Sequence, residues 1–183
     1  MIRRGDTLIE VILAVTIFSA VAISTLSLMN SGTAIAQRSL ETTLVRQQID
    51  SQAEMLRYIS QSEDSNMVGL WSGLKIQATP SPVSVVGVDS CPNTTTLSRP
   101  FVLIPSEASG VTSIDTFNEN PDTFAQIKDG SSQGISIQLA NVEGSDRHGG
   151  RAYDAYIQAC WHGPGVTRPM TIGTIVRIYD SSL

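Results

Sequence analysis

One carboxylate stands where a carboxylate is costly. Glu10 interrupts an otherwise apolar run from Thr7 to Met29. A charged side chain at the centre of a membrane-spanning helix costs about 2.5–3.5 kcal/mol on insertion scales, so an acid kept there is a functional residue by default. The other residues able to do chemistry lie far downstream. Cys91, in Asp89-Ser-Cys-Pro-Asn93, and Cys160 can form a disulfide worth roughly 4 kcal/mol by loop closure; two separate thiols are the alternative. Cys91, Cys160, His148 and His162 would be the ligands of a metal site, but only Cys160 and His162 are close in sequence. No Cys-x-x-Cys or His-x-x-x-His spacing is present, and no metal site is expected. The stretch Asp115-Thr-Phe-Asn-Glu-Asn-Pro-Asp122 is rich in oxygen ligands but lacks the Asp-x-Asn-x-Asn-Gly order, and reads as a solvated turn-rich loop. Glu143-Gly-Ser-Asp-Arg-His-Gly-Gly150 gathers acid, base and hydroxyl in one loop, whereas a triad is assembled from separate elements. Neither G-x-S-x-G nor a P-loop occurs. No catalytic residue and no cofactor is expected; the chain reads as a non-enzyme.

The element that positions Glu10 is a helix. The run has the roughly twenty residues needed to cross a bilayer core, and its apolar character on all sides suits lipid or the inside of a bundle. Arg3 and Arg4 are the only cations before Arg38, so the positive-inside bias keeps the leader cytoplasmic and exports the rest. Both cysteines then lie where a disulfide persists. No proline occurs before Pro80. Asn30-Ser31-Gly32 is a weak spot, after which Leu40, Leu44, Ile49, Leu56 and Ile59 recur at helical spacing among charged residues. Glu54 and Arg57 stand three apart and can pair. These features predict one nearly continuous helix from about Thr7 to Ser60, ending in the polar run Ser60–Ser65.

From Leu74 the period changes to two. Expected strands are Leu74–Thr79, Val83–Val88, Phe101–Ile104, Ile135–Leu139, Tyr153–Trp161 and Met170–Tyr179. Ile135, Ile137 and Leu139 form one inward set. Tyr153, Ala155, Ile157, Ala159 and Trp161 form a second, and Met170, Ile172, Thr174, Val176 and Ile178 a third. His162–Pro169 suits a hairpin connection, while Ser113–Asp122 and Glu143–Gly150 read as long loops. Trp71 and Trp161 read as core and sheet-edge aromatics. The expected fold is α+β, a long N-terminal helical spine packed on a small, mainly antiparallel sheet. With 183 residues and a net charge of -5, the chain suits one domain plus an anchor. Scattered Lys and Arg give no face for nucleic acid.

A secretory signal peptide is one account of the N-terminus, since Ala34-Ile35-Ala36 has the small-x-small form of a cleavage site. A signal core, however, is about 7–15 apolar residues, and this run is longer. A plain signal anchor accounts for the length but not for Glu10.

Arg3-Arg4-Gly5 followed by Asp6-Thr7-Leu8-Ile9-Glu10-Val11 resembles the N-terminal motif of the type IV pilin superfamily. The resemblance implies a leader of residues 1–5 cut between Gly5 and Asp6 by a prepilin peptidase, N-methylation of Asp6, and Glu10 as the glutamate at mature position five. It also implies a membrane-spanning and filament-core half over 6–32, an amphipathic half over 33–62 and a β-rich head over 63–183. Glu10 would meet the amino terminus of a neighbouring subunit, pairing two charges that neither could bury alone. Asp6 departs from the family's usual phenylalanine after the cut. The mid-helix proline that many major pilins carry is also missing, which makes Asn30-Ser31-Gly32 the point of give. The closing strand Pro169–Asp180 is similar to the ends of V-type minor pilins. Implied partners are other pilin subunits, the prepilin peptidase, an inner-membrane assembly machine and, before assembly, membrane lipid. The implied location is the cytoplasmic membrane with an exported head, then a surface pilus serving adhesion, motility or DNA uptake. A type II secretion or competence pseudopilin shares every N-terminal feature of this minor-pilin reading. A membrane-anchored binding or adhesion protein that never polymerises is the alternative of another class.

Overall fold

The computed structural model describes residues 6–92, 96–104, 113–116, 126–128, 131–142 and 151–180, with side chains described over 8–92, 96–104, 134–142 and 151–180. Helix α1 covers Asp6–Gln61, as the apolar run and the lack of proline predict, and it passes through Asn30-Ser31-Gly32 without a break. The chain divides into two compact units, Met1–Ser39 and Leu40–Leu183.

The second unit is α+β. Its helical layer comprises the last turns of α1 and a second helix, α2 (Ser65–Ile76), capped by Asp64, whose carboxylate accepts from Asn66 N–H at 2.8 Å. Its sheet is antiparallel throughout, built from β1 (Phe101–Ile104), β2 (Ser113–Thr116), β5 (Ile135–Asn141), β6 (Arg151–Trp161) and β7 (Met170–Asp180), in the order β2-β1-β5-β6-β7. β3 (Gln126–Lys128) and β4 (Ser131–Gln133) make a separate hairpin. The core lies between the helices and one sheet face. Val45, Ile49, Ala53, Leu56 and Ile59 of α1 and Met67, Trp71 and Leu74 of α2 pack with the inward residues of β5, β6 and β7. Trp161 is fully buried, and Trp71 meets Tyr153 edge-to-face at 5.6 Å.

Several expectations are corrected. Leu74–Thr79 is not a strand: Leu74 is in the last turn of α2, and Met67, Trp71 and Leu74 are spaced to share one helical face. Val83–Val88 pairs with no strand, for the reason given below. Ser113–Thr116 pairs antiparallel with β1 instead of opening a loop; the remainder of that loop, 117–122, and Glu143–Gly150 with His148 lie outside the described residues. The buried stripe of α1 also differs. Leu40 is exposed and Leu44 half-buried, while Glu41, Val45, Ile49, Gln52, Leu56 and Ile59 face inward. Two polar residues hold stripe positions because each has a buried partner.

Candidate functional site

Two places carry candidate residues. The first is the N-terminal part of α1. From Leu8 to Met29 its large apolar side chains are between 56% and 74% exposed among the described residues. The hydroxyls in it turn back onto the helix. Those of Thr16, Ser19, Ser24 and Thr25 donate to the carbonyls of Leu13, Val15, Ala20 and Val21 at 2.7–2.8 Å. A helix whose hydroxyls are satisfied internally presents an apolar surface fit for hydrocarbon or for other helices. The segment is long and apolar enough to cross a membrane, spanning roughly 33 Å at ~1.5 Å per residue. Glu10 lies on it, exposed, the only ionisable residue between Leu8 and Gln37. Asp6 belongs to α1 by its backbone; Gly5 and the residues before it lie outside the described residues.

The second place is the sheet face turned away from the helices. Cys91 and Cys160 form a disulfide with their Cα atoms 5.5 Å apart, so the expected pairing holds and neither thiol is free to ligate a metal. The bond is one of several fixings for the segment between α2 and β1. The segment starts by bonding Thr79 N–H to the Leu139 carbonyl at 2.8 Å, then crosses the sheet. There two buried glutamines hold it. Gln138 Oε1 accepts from Val83 N–H and Ser98 N–H at 3.1 and 3.2 Å, and its Nε2 donates to the Val83 carbonyl at 2.8 Å. Gln158 Oε1 accepts from Val85 N–H at 2.6 Å, and its Nε2 donates to the Val83 carbonyl at 3.2 Å. Gly87 N–H reaches Thr171 Oγ1 at 3.1 Å. Val83–Val88 thus reads as a strand yet finds its hydrogen-bond partners in side chains, the amides of Gln138 and Gln158 and the hydroxyl of Thr171. At the far end Arg99, in the left-handed region at φ 49°, donates to the Ile76 carbonyl at 2.9 Å, placing a cation at the C-terminus of α2.

Sequence reasoning leaves other polar contacts of this unit unmarked. Gln52, fully buried on α1, donates to the Leu103 carbonyl and accepts from Leu103 N–H, both at 2.9 Å. Glu41 accepts from the Trp161 indole N–H at 3.2 Å. Lys75 joins Asp180 at 2.7 Å and sits 5.9 Å from the Trp71 ring centre. On the outer face Arg177 makes a two-pronged contact with Asp154 at 2.8 and 2.9 Å. That hydrogen bonding holds the Asp154 carboxyl below its ordinary range, against the opposing effect of partial burial, and pushes the Arg177 guanidinium upward. The sequence signal for the glutamines was their place at mid-strand beside apolar neighbours, where one sheet face must be covered.

No protein-family model matches the chain, and no curated protein or solved structure matches it.

Proposed function

We propose that this chain is a type IV pilin-like subunit, a minor pilin, held in the cytoplasmic membrane by α1 and cleaved after Gly5 by a prepilin peptidase. An inner-membrane machine then assembles it with other pilin subunits into a surface filament. One observation carries the reading. A helix apolar on every side has a single acid, Glu10, five residues past Gly5, and it continues unbroken into the core of a disulfide-bonded sheet unit. A cut after Ala36 would fall inside that helix, a poor place for a disposable signal. Cleavage after Gly5 creates an ammonium at the start of the apolar helix, and burial in a bundle is tolerable only if it is paired. Glu10 of an adjacent subunit supplies the opposite charge and fixes the axial register of helices that would otherwise slide.

Glu10→Val tests this role. The variant is expected to be exported and cleaved as before but missing from sheared filaments. The unpaired ammonium costs about 3–5 kcal/mol, more than a hundredfold in docking. Incorporation at the normal level removes the role assigned to Glu10.

A further inference from the structure

β7 ends the sheet on one side, and no described strand pairs beyond it. The register shows which of its peptide groups remain available. Cys160 N–H donates to the Gly134 carbonyl at 2.8 Å and Val142 N–H to the Ala152 carbonyl at 3.0 Å, so even-numbered residues of β6 turn their peptide groups toward β5. Odd-numbered residues of β6 turn toward β7 and meet its even-numbered residues: Tyr153 lies opposite Ile178, Ala155 opposite Val176 and Ile157 opposite Thr174. Thr171, Gly173, Ile175, Arg177 and Tyr179 therefore aim their N–H and C=O groups at the open edge.

Among the described residues this edge lacks several of the usual protections. No proline or lysine occurs in Met170–Asp180, and the register against β6 runs without a bulge. The charge of Arg177 is already matched by Asp154. Ile175 and Tyr179 are 58% and 72% exposed.

We propose that the β7 edge pairs with the β7 edge of a second copy, antiparallel, about a two-fold axis at Ile175. The strand is complementary to itself around that point. Ile175 would face its own copy, with Gly173 opposite Arg177 and Thr171 opposite Tyr179. On the inner face Thr174 would lie opposite Val176 and Ile172 opposite Ile178. Small residues meet large ones, Ile172 meets Ile178, Met170 falls opposite Asp180, whose charge Lys75 already matches, and no like charges are opposed. This register alone sets all of Met170–Asp180 against itself. An axis at Arg177 opposes two guanidinium groups. An axis at Gly173 brings Pro169, which has no N–H to donate, into the ladder opposite Arg177. A one-residue slip would turn one copy's apolar face to water. The inference stands apart from the function proposed above and requires neither cleavage nor Glu10.

The test uses the full chain in detergent micelles with its disulfide intact. Ile175→Cys with a short bismaleimide should give cross-linked homodimer, because facing Cβ atoms on paired strands are about 5 Å apart. Val68→Cys and Tyr58→Cys, on exposed helix positions, should give roughly tenfold less, a ratio equivalent to 1.4 kcal/mol. Ile175→Pro removes an N–H that β6 does not use, so the sheet should persist. Its dimer dissociation constant by sedimentation should rise at least about thirtyfold. If that variant does not fold, Ile175→Lys, which opposes two like charges, provides the same readout. Equal cross-linking at all three sites, a dimer unaffected by a folded variant, or cross-linking of Ile175→Cys only to a different protein overturns the proposal.

Discussion

Gln52 provides a sharp test of how α1 is joined to the sheet. β1 is in ladder register with β5 at Phe101 opposite Ile137, and at Leu103 the Gln52 amide takes the place of a paired strand, meeting both N–H and C=O at 2.9 Å. Gln52→Leu keeps the volume nearly constant and removes both bonds. Two buried peptide groups then lose their partner at about 1–3 kcal/mol each, and the added apolar burial returns about 1 kcal/mol. The net loss is about 3 kcal/mol. For a protein of this size that lowers Tm by about 10 °C. Thermal unfolding followed by circular dichroism, at fixed detergent and with the disulfide oxidised, reads the loss. Amide exchange at Leu103 should accelerate selectively. A loss under about 1 kcal/mol, or a Leu103 amide still protected, would show that Gln52 is not what holds β1.

Replacing both cysteines by serine should lower stability by up to roughly 4 kcal/mol, since the closed loop spans 69 residues. The sheet's circular dichroism should be retained, because Gln138 and Gln158 still hold the crossing segment; a denaturant midpoint unchanged from the oxidised protein would contradict the stabilising role. The Asp154–Arg177 pair makes stability depend on acid. The Asp154 pKa is depressed in the folded protein, so the pair's contribution is fully present above the ordinary aspartate value near 4 and is lost as pH falls through the folded value. Arg177 stays protonated throughout and adds no slope. Asp154→Asn should flatten the acid limb of the stability profile, and an unchanged slope would contradict this.

The long elements were legible because each repeats one pattern. An apolar run without proline can hardly be other than helix, and β5, β6 and β7 carry inward sets with Ile137, Ile157, Trp161 and Val176 buried, broken in β7 by inward Thr174 and exposed Ile175. Short polar strands such as Ser131–Gln133 carry no alternation to read. Val83–Val88 carries it and forms no strand, because Gln138 and Gln158 replace the partner strand. α2 was missed where Leu74-Lys-Ile-Gln mimics period two, although Met67, Trp71 and Leu74 mark a helix face. The α1 stripe was blurred by Glu41 and Gln52, polar residues whose partners, Trp161 and Leu103, come from far along the chain. At the candidate site, Glu10 and the two cysteines stood out by residue type alone. Fixing the cysteine pairing required the fold that brings the loop and β6 together.

The measurement closest to the central claim is the intact mass and N-terminal peptide of the full chain, expressed with and without a prepilin peptidase. The account predicts loss of Met1–Gly5 and a mature N-terminus at Asp6 only when the peptidase is present. An N-terminus at Gln37, or an uncut chain in the presence of an active peptidase, would contradict it.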